Sequence, residues 1–186
     1  MVAEAGFLPE GAEVFLKRRT QEFLGTALLL FGLFLVACIV FYVPGDRAFN
    51  VATDRPIAHP LGAIGSYTAD FLVTALGATG FVLALVIVVW GARFLIHLPV
   101  SRFWLRLTTL PAATLAASVA LSLLPAYMLW PALSDLRLGG AVGQGIVGFL
   151  VAWVPPWGGL AATSLISAGA TALAVPLAAV AFGLSV

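Results

Sequence analysis

Residues 23–43 read FLGTALLLFGLFLVACIVFYV, a run without a single charged side chain. An α-helix needs about 20 consecutive apolar residues to cross the hydrocarbon core of a bilayer, so this run predicts a transmembrane helix. Two further runs meet the same criterion. One extends from about residue 71 to 95, with Arg93 near its end, and the other from 110 to 130, with Pro125 near its end.

The C-terminal region from Gly139 to Val186 carries no charge and is too long for one span. A Pro155-Pro156 pair divides it, and proline interrupts helices. Residues 139–154 predict a short, glycine-rich half-helix, which either enters the membrane or lies beside it. Residues 158–184 predict a full span. The sequence therefore indicates an all-α integral membrane protein with four transmembrane helices and a half-helix before the fourth.

Composition points to the same class. Hydrophobic residues make up 62% of the 186 residues and charged residues only 9%, whereas a soluble domain carries about a quarter charged residues. So few charges cannot cover a surface that faces water. The net charge of +1 gives no indication of nucleic-acid binding, and the one cysteine, Cys38, excludes an internal disulfide and a cysteine-based metal site.

Basic residues predict the orientation. Six of the nine lie before the first span or around the connection between spans two and three: Lys17, Arg18, Arg19, Arg93, Arg102 and Arg106. The positive-inside rule places this side in the cytoplasm, where these residues anchor the inner interface. We therefore expect cytoplasmic N- and C-termini, a cytoplasmic segment at 1–22, and outer loops at 44–70 and 131–157. The remaining basic residues fall in those loops: Arg47, Arg55 and Arg137.

Aromatic residues fit this orientation. The expected outer interface is marked by Tyr42, Trp130, Trp153 and Trp157, and the inner one by Trp90 and Trp104. Arg102 and Arg106 are one helical turn apart beside apolar residues. This pattern predicts a short amphipathic helix on the inner leaflet, the alternative being a solvated turn.

The sequence offers no catalytic, cofactor-binding or metal-binding group. The Gly143–Gly148 segment matches G-x-G-x-x-G, but its embedding in an apolar region favours close helix packing over nucleotide binding. His59 and His97 fall on opposite sides of the predicted membrane and are interpreted as interfacial side chains. No ionisable residue is expected at mid-membrane, since Asp70 lies at the outer mouth of span two and Arg93 can reach the inner interface.

The stretch HPLGAIGSYTAD, residues 59–70, predicts an ordered segment that leads into span two. Proline, hydroxyl residues and aspartate suit a helix start. Glycines three apart share a helix face, where they leave room for a neighbouring backbone. These patterns predict the following packing or interaction residues: Pro60, Gly62, Gly65, Asp70, Gly77, Gly80, Gly139, Gly140, Gly143 and Gly148. We expect them to carry packing between protomers, with Gly65 and Gly143 as the test positions.

The same residues resemble a known pattern. Pro60-Leu-Gly-Ala-Ile-Gly-Ser66, then Ala69-Asp70 and Gly77, is similar to the head of the second span in the N-terminal four-span domain of FtsK/SpoIIIE DNA translocases. The Pro44-Gly45-Asp46 loop start and the glycine-rich 139–143 segment fit as well, so the resemblance covers nearly all of the chain. His59 stands near where that family usually has asparagine, and Ser66 stands where it has alanine.

The resemblance implies a function. Such proteins join this membrane domain through a linker to a cytoplasmic hexameric motor, which uses ATP and Mg²⁺ to move double-stranded DNA. We therefore expect a non-enzymatic, oligomerising anchor in the bacterial inner membrane at the division septum. It would contact lipid, copies of itself and other division proteins, bind no DNA directly and hold no cofactor. We expect the native chain to continue past Val186, because the motor is absent from these residues.

Two other functions remain open at this stage. A small transporter or channel is favoured by the glycine-rich, proline-interrupted segment from residue 139 to 156, since broken helices often line substrate pathways. Gln144 and scattered hydroxyl groups are the polar residues it could use. A membrane-embedded enzyme ranks third, for want of an acid–base pair.

Overall fold

A computed structural model describes residues 10–98, 102–129, 136–155 and 159–183. Six α-helices account for most of these residues: α1 (Glu10–Val40), α2 (Gly62–Leu76), α3 (Gly80–Leu95), α4 (Phe103–Leu121), α5 (Gly140–Val151) and α6 (Gly159–Phe182). Short 3-10 turns follow α2 at Gly77–Thr79 and α4 at Ala126–Met128. The described residues contain four stretches long and apolar enough to cross a membrane: Val14–Val40, Gly62–Leu95, Phe103–Leu121 and Gly159–Phe182. The predicted all-α, four-span class is confirmed.

The spans form two antiparallel helix pairs, α1 with α3 and α4 with α6. In the first pair, Gly25 of α1 lies opposite Gly91 near the end of α3, whereas Ile39 lies opposite Gly80 at its start. This up-and-down order gives the bundle two distinct ends. We call the end that carries residues 41–61 and α5 the loop end, and the end where α3 meets α4 the basic end.

Small residues bring α1 and α3 into close contact. A Cβ atom added at Gly25 would collide with the backbone of Leu95, one at Gly32 with Val88, and one at Gly91 with Leu29. Glycine at these positions lets two backbones approach, which is the usual means of tight helix packing in membranes. The sequence reading did not single out these three glycines.

The second span is broken, contrary to the continuous helix expected at 71–95. Helix α2 begins at Gly62, within the expected outer loop, and ends at Leu76. The next residue, Gly77, has a φ of 61°, which is unfavourable for residues with a side chain. A straight helix from 62 to 95 would measure about 51 Å at 1.5 Å per residue, well beyond the bilayer core. Gly77 and Gly80 therefore flank a helix break and do not share a helix face.

The third span is shifted from the expected 110–130 to Phe103–Leu121. Residues 103–109 form the first turns of α4, so the separate amphipathic helix predicted around Arg102 and Arg106 is wrong. Pro125 lies beyond the helix in extended conformation and forms an isolated antiparallel bridge with Arg137.

The remaining expectations differ mainly at helix ends. The half-helix expected at 139–154 is present as α5, and α6 covers most of the expected 158–184 span. Helix α1 already begins at Glu10, so the last part of the expected 1–22 segment belongs to the helix, and it ends at Val40. Trp130, Asp135, Pro156, Trp157 and Val186 lie outside the described residues. Which end of the bundle faces the cytoplasm stays a prediction.

Three small apolar clusters hold the bundle together. The first joins α1, α2 and α3 through Leu35, Ile39, Leu72, Val73 and Ala84. A second, towards the basic end, contains Val86, Trp90, Leu110 and Ala181. A third joins α4, α5 and α6 through Val119, Val147 and Ala170. Many large apolar side chains remain exposed on the outside, as expected for a protein whose surroundings are lipid.

Candidate functional site

At the loop end, Asp70 is the centre of a buried polar network. Its carboxylate accepts hydrogen bonds from Asn50 Nδ2 at 3.1 Å, Tyr42 Oη at 3.4 Å and Thr74 Oγ1 at 3.5 Å, and the residue is only 2% exposed. Asp70 lies well inside α2, so the expected role at the helix start is wrong. The three donors come from the first loop and from α2 itself, and they compensate for the burial of a charge.

Asp46 ties the two halves of the first loop together. Its carboxylate accepts hydrogen bonds from the backbone N–H of Ala58 at 3.0 Å and of His59 at 2.8 Å. Farther along, the Ser66 hydroxyl donates to the carbonyl of Arg47 at 2.9 Å, which fastens the loop to α2. We call Tyr42, Asp46, Asn50, His59, Ser66 and Asp70 together the first-loop cluster.

His59 is a core residue and not the interfacial side chain that we expected, because it is only 3% exposed. Its Nδ1 accepts a hydrogen bond from the Leu61 N–H at 3.1 Å, so its Nε2 carries the proton that faces the Cys38 carbonyl at 3.3 Å. The ring thereby connects the end of α1 to the start of α2. Cys38 is itself fully buried, which fits a helix-facing residue.

The environment of Tyr42 suppresses its ionisation. Burial, the negative charge of Asp70 and the hydrogen bond to Asp70 together raise the pKa of Tyr42 to about 12. A tyrosinate beside a buried carboxylate would bring two negative charges together in a poorly solvated place. The hydroxyl therefore remains a hydrogen-bond donor over the ordinary pH range.

The expected glycine face around Gly62 and Gly65 is used within the chain. A Cβ at Gly65 would collide with the His59 imidazole, so this glycine provides the seat of that ring. Gly62 has open space around it and a φ of 63°, and Pro60 is exposed just before it. Gly65 is therefore buried against residues of its own chain.

Several other expected packing residues meet at one place, deeper in the bundle. We call this place, which contains Gly77, Thr79, Ser118, Gly139, Gly140 and Gly143, the glycine junction. A Cβ at Gly77 would collide with the Leu138 carbonyl, and one at Gly140 with Ala75. Gly139 and Gly143 both face the Ser118 carbonyl on α4 in the same way. The glycines thus pack α5 and the residues before it against the break between α2 and α3 and against α4.

Two hydroxyl groups complete the glycine junction. Thr79 Oγ1 and Ser118 Oγ lie 2.7 Å apart, both residues are fully buried, and Thr79 also donates to the Leu76 carbonyl at 2.6 Å. The Ala78 N–H donates to the Leu138 carbonyl at 2.8 Å. Sequence reasoning gave Thr79 and Ser118 no packing role, although each is a polar residue within an apolar run, where it needs a partner. Of the other two expected glycines, Gly80 approaches Ile39 and Gly148 has open space.

At the basic end, the structure gathers all six predicted anchors. Arg93 donates from Nη1 to the carbonyls of Phe182 at 3.1 Å and Gly183 at 3.3 Å, and Trp90 Nε1 donates to Ala181 at 2.8 Å. These bonds satisfy the free carbonyls at the end of α6, where positive charge is also favourable. Arg106 is 8% exposed beside Gly183, so it packs inside the bundle and does not lie on the leaflet as expected.

The other four anchors are accessible. Lys17, Arg18 and Arg19 are exposed on α1, and Arg102 is exposed just before α4 with a left-handed φ of 54°. Arg19 pairs with Glu22 at 2.6 Å, and His97 Nε2 lies 3.5 Å from the other oxygen of Glu22. The basic end therefore presents a charged rim around an apolar bundle.

These arrangements define a multi-pass helical membrane domain whose polar groups serve packing. Within the described ranges, no group of three or more His, Cys, Asp or Glu residues is placed to hold a metal ion. A family profile described as the 4TM region of DNA translocase FtsK/SpoIIIE matches residues 17–186. The chain belongs to this family of membrane domains, and the predicted resemblance is confirmed.

Curated relatives agree with the family. The chain is 33% identical over 142 residues to a DNA translocase FtsK from Bradyrhizobium diazoefficiens. The aligned region covers 76% of this chain and 17% of that protein. It is 35% identical over 89 residues to one from Azospirillum brasilense, covering 47% and 14%. It is 29% identical over 164 residues to one from Brucella suis, covering 86% and 18%. No solved structure matches the chain.

The chain spans less than a fifth of the length of the curated relatives that it matches. The match falls on the transmembrane region and not on an ATPase motor, so these residues are the membrane part and not the enzymatic part of such proteins. Four apolar helices together with this family make the chain part of a multi-pass inner-membrane protein in contact with lipid.

Proposed function

We propose that this chain anchors and oligomerises a bacterial DNA translocase at the division septum, in cell division and chromosome segregation. Membership of the four-span family supports the anchoring role. In this proposal the motor lies outside these residues and uses ATP and Mg²⁺, and the membrane domain binds no DNA directly. A hexameric state and contacts to other division proteins are the arrangement that the family resemblance favours.

The exposed surface of α6 is the observation that best supports self-association. Only 17% of the most apolar part of α6 is buried within the chain, the lowest share among the four candidate spans that the structure describes. Ser164, Ala168 and Ala172 recur at every fourth position and are all exposed. Small residues at this spacing let two membrane helices approach closely. We therefore assign the protomer contact to α6, in place of Gly65 and Gly143.

Helix α5 extends this surface. It packs on α6 through the cluster that contains Val147 and Ala170, and its Gly145 and Gly148 have open space around them. A helix from another protomer could lie against both without a change in the bundle. Gly148 is thus an expected packing residue that remains available for contact between protomers.

Fluorescence energy transfer between labelled copies in liposomes tests the oligomerisation. An Ala168→Leu/Ala172→Leu double variant should insert normally but lose most of the energy transfer, because the added side chains separate the helices. Ala27→Leu, which enlarges an exposed alanine on α1, is the matched control and should leave the transfer unchanged. Equal energy transfer in the double variant and the wild type would count against α6 as the contact.

The septal role needs a separate test in dividing cells. A fluorescent full-length protein should concentrate at the septum, and replacing residues 1–186 with an unrelated four-helix membrane domain should spread it over the whole membrane. Septal concentration that survives this replacement would show that the signal lies elsewhere in the protein.

The transporter alternative has no specific observation in its favour. Its broken-helix segment does exist, but the hydroxyl groups of Thr79 and Ser118 beside it are fully buried and bonded to each other. Gln144, the other polar candidate, is exposed on α5. The Thr79 and Ser118 hydroxyl groups thus form a packed contact, and Gln144 lies apart from it.

A further inference from the structure

The basic end contains an open cleft between α1 and the segment that follows α3. Its volume is about 610 Å³, and its lining residues are Val14, Lys17, Arg18, Gln21, Glu22 and His97. No apolar core cluster reaches it, and its polar groups take no part in holding the described helices together beyond the Glu22 pairs.

Some charged side chains in the cleft are paired and others are not. Glu22 is engaged on both oxygens, by Arg19 at 2.6 Å and by His97 at 3.5 Å. Lys17 and Arg18 make no hydrogen bond or ion pair with any residue that the structure describes. The cleft therefore offers the positive charges of Lys17 and Arg18, while the negative charge of Glu22 is already paired, and this arrangement attracts an anion.

The surroundings specify what kind of anion fits. The cleft lies on α1 at the start of the candidate span Val14–Val40, where an interfacial head group would be found. Leu24, one turn farther along α1 than Gln21, is 47% exposed and would face an acyl chain. A ligand with a phosphate and an attached apolar chain satisfies both features, whereas a free phosphate uses only the first.

We propose that this cleft binds the head group of an anionic phospholipid. Lys17 and Arg18 contact the phosphate oxygens, the Gln21 amide donates to the glycerol or ester oxygens, and Leu24 borders the acyl chain. Basic pockets of this kind on membrane helices recognise anionic lipids. The site depends on the membrane position of the chain and is independent of its oligomerisation or septal role.

Native mass spectrometry of the full 186-residue chain in detergent tests the site, with phosphatidylglycerol and phosphatidylcholine titrated separately. The wild type should retain phosphatidylglycerol preferentially. A Lys17→Gln/Arg18→Gln variant should bind it roughly thirtyfold more weakly, as expected for the loss of two basic side chains near the surface. The matched control is Arg47→Gln/Arg55→Gln, which removes two exposed charges at the loop end and should leave the affinity unchanged.

Three results would overturn the proposal. Equal retention of the two lipids would show that no anionic site exists. Equal loss in both double variants would make the effect one of overall charge. Competition by inorganic phosphate at the same concentration as the lipid would identify a free-anion site. A His97→Asn variant, which tolerates the left-handed φ of 56° at this position, provides a second probe of the cleft wall and should weaken binding less than the double variant.

Discussion

The hydroxyl groups of Thr79 and Ser118 lie 2.7 Å apart and join the break after α2 to the middle of α4. Replacing only one of the two residues by an apolar one would leave the other hydroxyl buried without this partner, because both residues are fully buried. The bond therefore fastens the first three helices to the last three inside the bundle, as Trp90 and Arg93 do at the basic end.

Thr79→Val should destabilise the chain by about 1–3 kcal/mol, because it keeps the side-chain shape but removes the bonds to Ser118 and Leu76. The measurement is thermal unfolding in detergent, followed by circular dichroism. Thr108→Val is the matched control, since that hydroxyl also bonds to carbonyls of its own helix but is exposed. If both variants melt together with the wild type, the bond is energetically unimportant.

Glycine at position 77 should be needed both for its positive φ and for its close contact with the Leu138 backbone. A comparison with Gly62 separates the two effects. Gly62→Ala places a side chain at a φ of 63° in open space and should cost about 1 kcal/mol. Gly77→Ala, at a φ of 61°, adds a collision with the Leu138 backbone and should cost clearly more. Urea or thermal unfolding of the two variants in detergent measures the difference. Equal costs would mean that α5 can move away from the junction without loss.

Stability should fall in alkaline solution through Tyr42. Its pKa is raised to about 12 in the folded chain from an ordinary value near 10. The folded state holds the proton more tightly, so this contribution is complete below about pH 10 and is lost as the pH rises towards 12. Absorbance of tyrosinate during a pH titration should show one late step.

Two variants identify that late step. Tyr42→Phe should abolish it, whereas Tyr127→Phe, which removes an exposed tyrosine, should keep it. Asp70→Asn should move the step to lower pH, since the charge of Asp70 contributes to the shift. A late step that persists in Tyr42→Phe would contradict the assignment.

Arg93 should hold the last turn of α6 in place. Arg93→Gln shortens the side chain and removes its charge, so the amides around Ala181–Gly183 should exchange with deuterium several-fold faster. Hydrogen exchange followed by mass spectrometry measures this, with Arg102→Gln as a control at the same end of the bundle. Unchanged exchange in Arg93→Gln would leave Trp90, whose bond to Ala181 is 2.8 Å, as the main tether.

Particular residues show how far sequence reasoning reached. The charge-free run at 23–43 and the Pro155-Pro156 pair were sufficient to predict α1 and the separation of α5 from α6, because hydropathy and helix breaking are local properties. The spacing of Gly77 and Gly80 predicts that both lie on one helix face, whereas Gly77 ends a helix in the structure. Its role as a helix breaker depends on the Leu138 backbone, which is distant in sequence.

Asp70 illustrates the same limit. Its motif indicated the family, but its partners Tyr42 and Asn50 come from a loop whose path no periodicity predicts. Arg106 was assigned to the leaflet surface because the end of α6, against which it is buried, is far away along the chain. Gly25, Gly32 and Gly91 were passed over for the converse reason, since their spacing has meaning only once α1 and α3 are known to be neighbours.

The sequence alone was enough to establish a four-span membrane domain and its family, because the bilayer imposes length and polarity on every span separately. Which helices pack against each other is decided only in the folded chain. Spacing along one helix gives the face on which a glycine lies, but not which helix covers that face. Gly65 therefore packs against His59, and Gly143 against α4, since backbone contacts of this kind form only when distant segments have packed together.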